Sequence, residues 1–332
     1  MKAQQTIEKI PIEIALDSKD RYQLIILDSI DNSMIFDELL ELNYSSGYRV
    51  GYISLFNNIE KSLSDLINLT SAKIIVLDKS GKIPHVILKD SKFSSIALIS
   101  AGSGKDEKKN ILSSILKNKN LSRFSHLAYQ TYRYNRETLR KVKSHFFEEL
   151  RLGKFREEFT DSEPMLREIQ LHLFDLNAIR HSDFRASNDQ LPNGLYSEEA
   201  CQLGGYIGMS EQMRCVVLYG ISDKIAGDVT SQKLIAEILW HVAEASVSSL
   251  RESPERADID SGLIKKYVSI SGDDNDLCFV TSSITNRWWV EIPNIQTNSN
   301  EFVPCSESDY LSAARGEIPH RWVFYFQKIN SY

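Results

Sequence analysis

Uninterrupted runs of Ile, Val and Leu recur along the chain as far as residue 221, each separated from the next by a segment of helical periodicity. The runs are YQLIILDSI (22–30), YRVGYISLF (48–56), AKIIVLD (72–78), SSIALIS (94–100), FSHLAYQTY (124–132), IQLHLFDL (169–176) and MRCVVLYGI (213–221). A strand that is apolar on both sides must be covered on both sides, which is the signature of a parallel sheet between helix layers. The intervening segments supply those helices: FDELLELNY (36–44), IEKSLSDLINL (59–69), and stretches near 108–117, 136–150, 197–208 and 229–250. In the last of these, Ile235, Ile238, Leu239, Val242 and Ala243 form one stripe, with Thr230 or Ser231 in place to cap it. The predicted class is α/β.

After Pro254 the texture changes. KKYVSIS, DLCFVTSS, RWWVEIP and HRWVFYFQK read as strands, broken by GDDND and QTNSNE. The reading is an α/β domain over 1–255 with a β-rich C-terminal extension over 256–332 packed on the same domain. A charge of -6 gives no general attraction to phosphate backbones or anionic lipid, so nucleic acid is not an expected partner. The N-terminus has no signal-peptide core, and no segment approaches the roughly 18 apolar residues of a membrane helix. A cytoplasmic location is expected. Cys201, Cys215, Cys278 and Cys305 form no CxxC pair and are expected to be reduced and mostly buried.

Familiar catalytic motifs are absent. The turn in IALISAGSGKDEKK lacks the GxxxxGK[ST] spacing, and Asp106 stands where a Mg²⁺-binding hydroxyl belongs. The seven histidines, at 85, 126, 145, 172, 181, 241 and 320, include no HxH or HExxH arrangement. No GxSxG elbow occurs. The stretch LFDLNAIRHSDF (173–184) is distinctive: an apolar strand runs straight into two acids, an amide, an arginine and a histidine. Carboxyl ends of parallel strands are where ligands bind in such folds.

Several longer strings occur in a fixed order: HLAYQTYRYN (126–135), ELRLGKFREEFTDSEPMLRE (149–168), LFDLNAIRHSDF (173–184), PNGLYSEEACQLGGYIGMS (192–210), TSQKLIAEILWHVAEA (230–245), NRWWVEIP (286–293) and VPCSESDYLSAARGEIPHRWVFYFQK (303–328). Together they resemble the arginase/agmatinase/formimidoylglutamase superfamily, in a divergent formimidoylglutamase-like branch. The resemblance is strong from about residue 110 onward and weak before it. It implies a three-layer α/β/α fold, two Mn²⁺ ions between strand ends, and hydrolysis of an amidine or guanidine C–N bond by a metal-bridging hydroxide. It also implies homo-oligomers, commonly trimers or hexamers.

The ligands that the resemblance implies are missing here. A Gly-Gly-x-His loop should follow AKIIVLD, where DKSGKIP offers only Lys79 and Lys82; His85 fits only if an insertion displaced it. An Asp-x-His-x-Asp cluster should follow SSIALIS, where AGSGKDEKK offers Asp106 and Glu107. The later Asp-x-Asp falls on Asp175-Leu176-Asn177, leaving one carboxylate, and Gly220 stands in place of a substrate-contacting glutamate. Two adjacent divalent ions need several anionic oxygens to offset their repulsion. The expectation is therefore a degenerate site with no cofactor, in which Asp175, Asn177, His181 and Asp183 are vestigial. The protein would be a binding or assembly subunit with a protein partner or copies of itself.

The alternative is a hydrolase with a reduced manganese site using Asp106, Asp175 and Asp183. In that reading Asn193 and Gly194 shape a pocket, or else their loop only starts a helix capped by Ser197. Arg287, Trp288, Trp289, Arg321 and Trp322 have the composition of an interface hot spot, or else the tryptophans are core.

Overall fold

Each apolar run becomes a strand of one all-parallel sheet. The computed structural model describes residues 6–330 apart from 18–20, 31–33, 46, 56–58, 90–92, 103–109, 249, 251, 253, 255–261 and 271–275. Nine strands form the sheet: β1 (Ile7–Lys9), β2 (Leu24–Asp28), β3 (Val50–Ser54), β4 (Lys73–Asp78), β5 (Ser95–Ile99), β6 (Arg123–Tyr129), β7 (Glu148–Arg151), β8 (Leu171–Asp175) and β9 (Cys215–Tyr219). Their order is β1-β3-β2-β4-β9-β8-β5-β6-β7, with every pairing parallel. The last two strands to enter, β8 and β9, fill the centre between the two halves already laid down.

Strand alternation divides the buried residues between two faces. Ile25, Ile74, Val76, Leu98, Leu173 and Val217 share one apolar cluster with Leu63, Leu66, Ile87, Leu112 and Val142 of the helices on that side. The alternate residues Ile26, Ile75, Phe174, Val216 and Leu218 are as deeply buried. They leave the helices Ile35–Leu40, Ser197–Gly208 and Val229–Ser248 to cover the second face. This is a three-layer α/β/α arrangement. Among the described residues, no helix is long and apolar enough to cross a membrane.

Two compact units emerge, Met1–Ser162 with Leu166–Ser249, and Glu163–Met165 with Leu250–Tyr332. The second contains an antiparallel sheet, β10 (Leu263–Val268), β11 (Leu277–Ser282), β12 (Trp288–Asn294) and β13 (Ser299–Cys305) in that order, and the helices Glu307–Ala314 and His320–Asn330. Its core holds Phe279, Trp288, Val290, Ile292, Val303 and Tyr325.

Four sequence readings are corrected. HRWVFYFQK is helical, because Trp322, Tyr325, Phe326 and Ile329 recur at helical spacing and pack on that core. The helix expected to reach 150 ends at Ser144, and EELR becomes edge strand β7. Thr230 and Ser231 lie inside the helix that begins at Val229; Ser231 Oγ donates to Asp228 Oδ2 at 2.7 Å and accepts the Ala186 amide at 3.1 Å. The hot-spot reading of the tryptophans also fails at β12. Trp288 is 7% and Trp289 2% exposed, Trp288 stacks on Tyr310, and Arg287 is buried with its Nη1 on the Leu250 carbonyl. Arg321 Nε donates to the Pro304 carbonyl at 2.6 Å and Trp322 Nε1 to the Glu291 carbonyl at 3.1 Å, so these polar tips are also bonded within the unit. All four cysteines are buried and none forms a disulfide.

The packing of helix Ser197–Gly208 on Val229–Ser248 depends on small residues. A Cβ at Gly208 would meet the Val242 carbonyl and lie 2.9 Å from Ala245 Cβ, whereas one at Gly205 meets nothing within 4 Å. Gly208→Ala is expected to destabilise by roughly 1–3 kcal/mol through overpacking. Gly205→Ala should stabilise by roughly 0.5–1 kcal/mol, because the helix loses a flexible residue at no steric cost. Urea midpoints of the two variants check the opposite signs.

Candidate functional site

The strand order brings the carboxyl ends of β4, β9, β8 and β5 side by side, so the segments after Asp78, Tyr219, Asp175 and Ile99 converge on one edge. In register, Asp78 pairs with Tyr219 and Tyr219 with Asp175. A small cleft of about 120 Å³ opens there, lined by Ser100, Gly102, Asn110, Tyr134, Asp175, Asp189 and Tyr219 among others.

Asp175 is the buried acid of this cleft, and its oxygens are occupied by donors. Oδ1 accepts the Asn177 amide N–H at 3.0 Å and Asn177 Nδ2 at 2.8 Å, while Oδ2 accepts the Ser100 hydroxyl at 3.4 Å. Burial outweighs these bonds and, with Asp189 nearby, pushes the carboxyl from 3.8 up to about 7. Asn177 is suited to its place: its Nδ2 donates to Asp175 and its Oδ1 accepts the Asp189 amide at 2.9 Å. A carboxylate at 177 could not donate to Asp175. The backbone of Gly220 closes the other side with φ at +85°, and a Cβ there would run into Asp175 Oδ1 and sit 2.5 Å from Asn177 Nδ2. No side chain can project from residue 220 without displacing this pair.

The hydroxyl chain continues inward. Tyr134 donates to Ser100 Oγ at 3.4 Å, and His126 Nε2 lies 3.1 Å from the Tyr134 hydroxyl. Burial pushes His126 down to about 3 and raises Tyr134 and Tyr219 well above the usual tyrosine range. All three are neutral at pH 7. His172, wholly buried in β8 with Nε2 3.2 Å from the Ile169 carbonyl, is likewise pushed down to about 3 by burial.

The other strand-end acids are used the same way. Asp78 accepts the Ile83 amide at 2.9 Å and the Ser80 hydroxyl at 2.6 Å; Asp28 accepts the Ile30 amide at 2.8 Å and the Tyr52 hydroxyl. Each carboxylate ties down the loop that follows its strand.

The remaining sequence candidates separate. His181 Nδ1 is 3.1 Å from Ser187 Oγ. Asp183 accepts Arg180 Nε at 2.7 Å and the Ser197 amide at 3.1 Å; against burial, these bonds hold its carboxyl below the usual range. Ser197 is consequently inside its helix, and Tyr196 stands at the N-cap with its amide bonded to Glu199. The Asn193 and Gly194 carbonyls accept Gln130 Nε2 at 3.0 Å and Arg156 Nη2 at 2.6 Å. His85 lies in the helix Ile83–Lys89, its Nδ1 3.5 Å from Ser114 Oγ, and Lys79 pairs with Asp223 at 2.8 Å. Asp106 lies outside the described residues. Ser100, Tyr134, Asp189 and Tyr219 were not singled out from the sequence; the one available signal was that Tyr219 and Ser100 end apolar runs on either side of β8.

Among the described residues, no three His, Cys, Asp or Glu side chains converge in a way that could hold a metal ion. A binuclear manganese centre requires several anionic oxygens and imidazoles. The cleft offers the buried carboxyl group of Asp175 and the more exposed one of Asp189 among amides, hydroxyls and phenols, with no imidazole in its lining, and this described donor set does not fit two manganese ions.

No protein-family model matches the chain, and no curated protein is similar to it in sequence. Solved structures are similar to it in fold. The formiminoglutamase of Trypanosoma cruzi, solved with Mn2+2, aligns with a TM-score of 0.56 at 13% identity, covering 69% of this chain and 94% of that one. The formimidoylglutamase of Bacillus subtilis aligns with a TM-score of 0.56 at 13% identity, covering 74% and 91%. The agmatine ureohydrolase of Thermoplasma volcanium gives 0.51 at 12%, covering 68% and 90%. The nine-stranded layer thus has the fold of these arginase/ureohydrolase-superfamily structures. The fold is formimidoylglutamase-like, and an antiparallel four-stranded sheet lies in the C-terminal unit.

Asp175 binds its proton more tightly folded than unfolded. It therefore contributes stability that is fully present below pH 3.8 and is lost as pH rises through about 7. Asp175→Asn should remove that loss, so the variant gains on the wild type between these limits by on the order of a few kcal/mol; parallel urea-stability profiles would contradict this. Gly220→Ala should destabilise by roughly 1–3 kcal/mol, from its positive φ alone, and more through its collision with Asp175, as read by thermal melting.

Proposed function

We propose that this chain is a ureohydrolase-fold protein that has lost the binuclear manganese site and acts as a non-catalytic binding or assembly subunit. The observation that carries this reading is the bonding of Asp175. Where a metal centre would need a second carboxylate, Asn177 turns two N–H groups toward Asp175 Oδ1, and residue 220 has no side chain to offer. Such a carboxyl group is satisfied without a cation, and a divalent ion would have to displace donors already in place. The segment 101–109 adds Asp106 and Glu107 in sequence, but it also adds Lys105, Lys108 and Lys109 and no imidazole. Oxygen donors there would be offset by adjacent positive charge.

The manganese of the Trypanosoma cruzi structure motivates the competing reading, a C–N hydrolase with a reduced manganese site. Loading purified protein with Mn²⁺, desalting it and measuring the metal by elemental analysis separates the two. The expected result is no manganese above a buffer blank, together with no urea or formamide release from formimidoylglutamate, arginine or agmatine. Stoichiometric, tightly held manganese with turnover of any of the three would overturn the proposal. Light scattering is expected to give a mass above that of one chain or, for a monomer, co-purification with a defined partner.

A further inference from the structure

A second depression opens at the carboxyl edge of the main sheet beside β6 and β7, and it shares no lining residue with the cleft around Asp175. It measures about 290 Å³, close to the lower limit for small-molecule sites. Tyr129, Gln130, Tyr132, Arg151, Arg156 and Asn193 account for its chemistry. Its floor is fixed: Gln130 Nε2 donates to the Asn193 carbonyl at 3.0 Å, and Gln130 Oε1 accepts the Tyr132 hydroxyl. Arg156 is held in place by Glu199 at 3.2 Å, by the Gly194 carbonyl at 2.6 Å and by the Tyr196 ring, 4.2 Å from its guanidinium carbon. A guanidinium carries five N–H donors, so these contacts leave some available. Arg151 is exposed and has no ion-pair or side-chain hydrogen-bond partner among the described residues. Tyr132 is 73% exposed, a large ring standing in solvent beside these charges.

Two guanidinium groups beside aromatic and aliphatic walls match an anion on an apolar body. The planar fork of arginine pairs best with a planar two-oxygen acceptor, and the lining contains no lysine and no glycine-rich run of amides of the kind that cradles phosphate. We propose that this depression binds a small organic carboxylate, with Arg151 and Arg156 receiving the carboxylate and Tyr129 and Tyr132 receiving the apolar body. The site does not depend on whether the Asp175 cleft holds a metal, so failure of either proposal leaves the other standing.

Isothermal titration of the full chain with phenylacetate, with phenylacetamide as the neutral isostere and with inorganic phosphate, tests the assignment. Phenylacetate is expected to bind, and Arg151→Gln to weaken it about tenfold, as loss of one charge-assisted hydrogen bond requires. Arg151 is a surface residue, so this variant should keep the wild-type melting temperature. Tyr132→Ala should weaken binding without altering its dependence on salt. Absence of phenylacetate binding, equal binding of phenylacetamide, tighter binding of phosphate, or indifference to Arg151→Gln would each overturn the proposal.

Discussion

A carboxyl group carried into the interior at the end of a parallel strand must find a cation or hydrogen-bond donors, because an unpaired buried charge costs several kcal/mol. In this chain the strands β2, β4 and β8 all end on a buried aspartate, and each is answered by amide and hydroxyl donors. That choice of donors determines the character of the sheet edge. The loops are held by their own strand-end acids, and the cleft after β8 is lined by Asp175 and Asp189 together with amide, hydroxyl and phenol groups.

At Asp175 burial competes with the donors. Three neutral donors do not offset full burial, and the carboxyl group rises to about 7. Asn177 and Gly220 are complementary parts of one arrangement, an amide that can donate and a backbone that leaves it room. An acid at either position would break the bond pattern of the other, so the two positions form a coupled unit.

Much of this was legible in the sequence. Continuous apolar runs at 24–28, 73–78, 95–99, 171–175 and 215–219 pointed to a parallel sheet, and Asp175, Asn177 and Gly220, singled out in the sequence, meet at the end of β8. Where sequence reasoning failed, tertiary context was decisive. EELR has no strand pattern of its own and becomes β7 by pairing with β6, and HRWVFYFQK carries aromatic residues that suit a strand and a helix equally. Asp183, a vestigial candidate from its place after β8, is not among the residues lining the cleft and bonds Arg180 and the Ser197 amide instead. Tyr134 and Asp189 reach the cleft from loops whose course no local pattern encodes.

The hydrogen-bond donors to Asp175 are neutral amide and hydroxyl groups rather than cations. The most direct measurement is a ¹³C NMR titration of the Asp175 side-chain carboxyl carbon, assigned by comparison with Asp175→Asn. A midpoint near pH 7 is expected, unmoved by added Mn²⁺ apart from non-specific broadening. A midpoint in the ordinary carboxylate range, or one driven down by stoichiometric Mn²⁺, would contradict it.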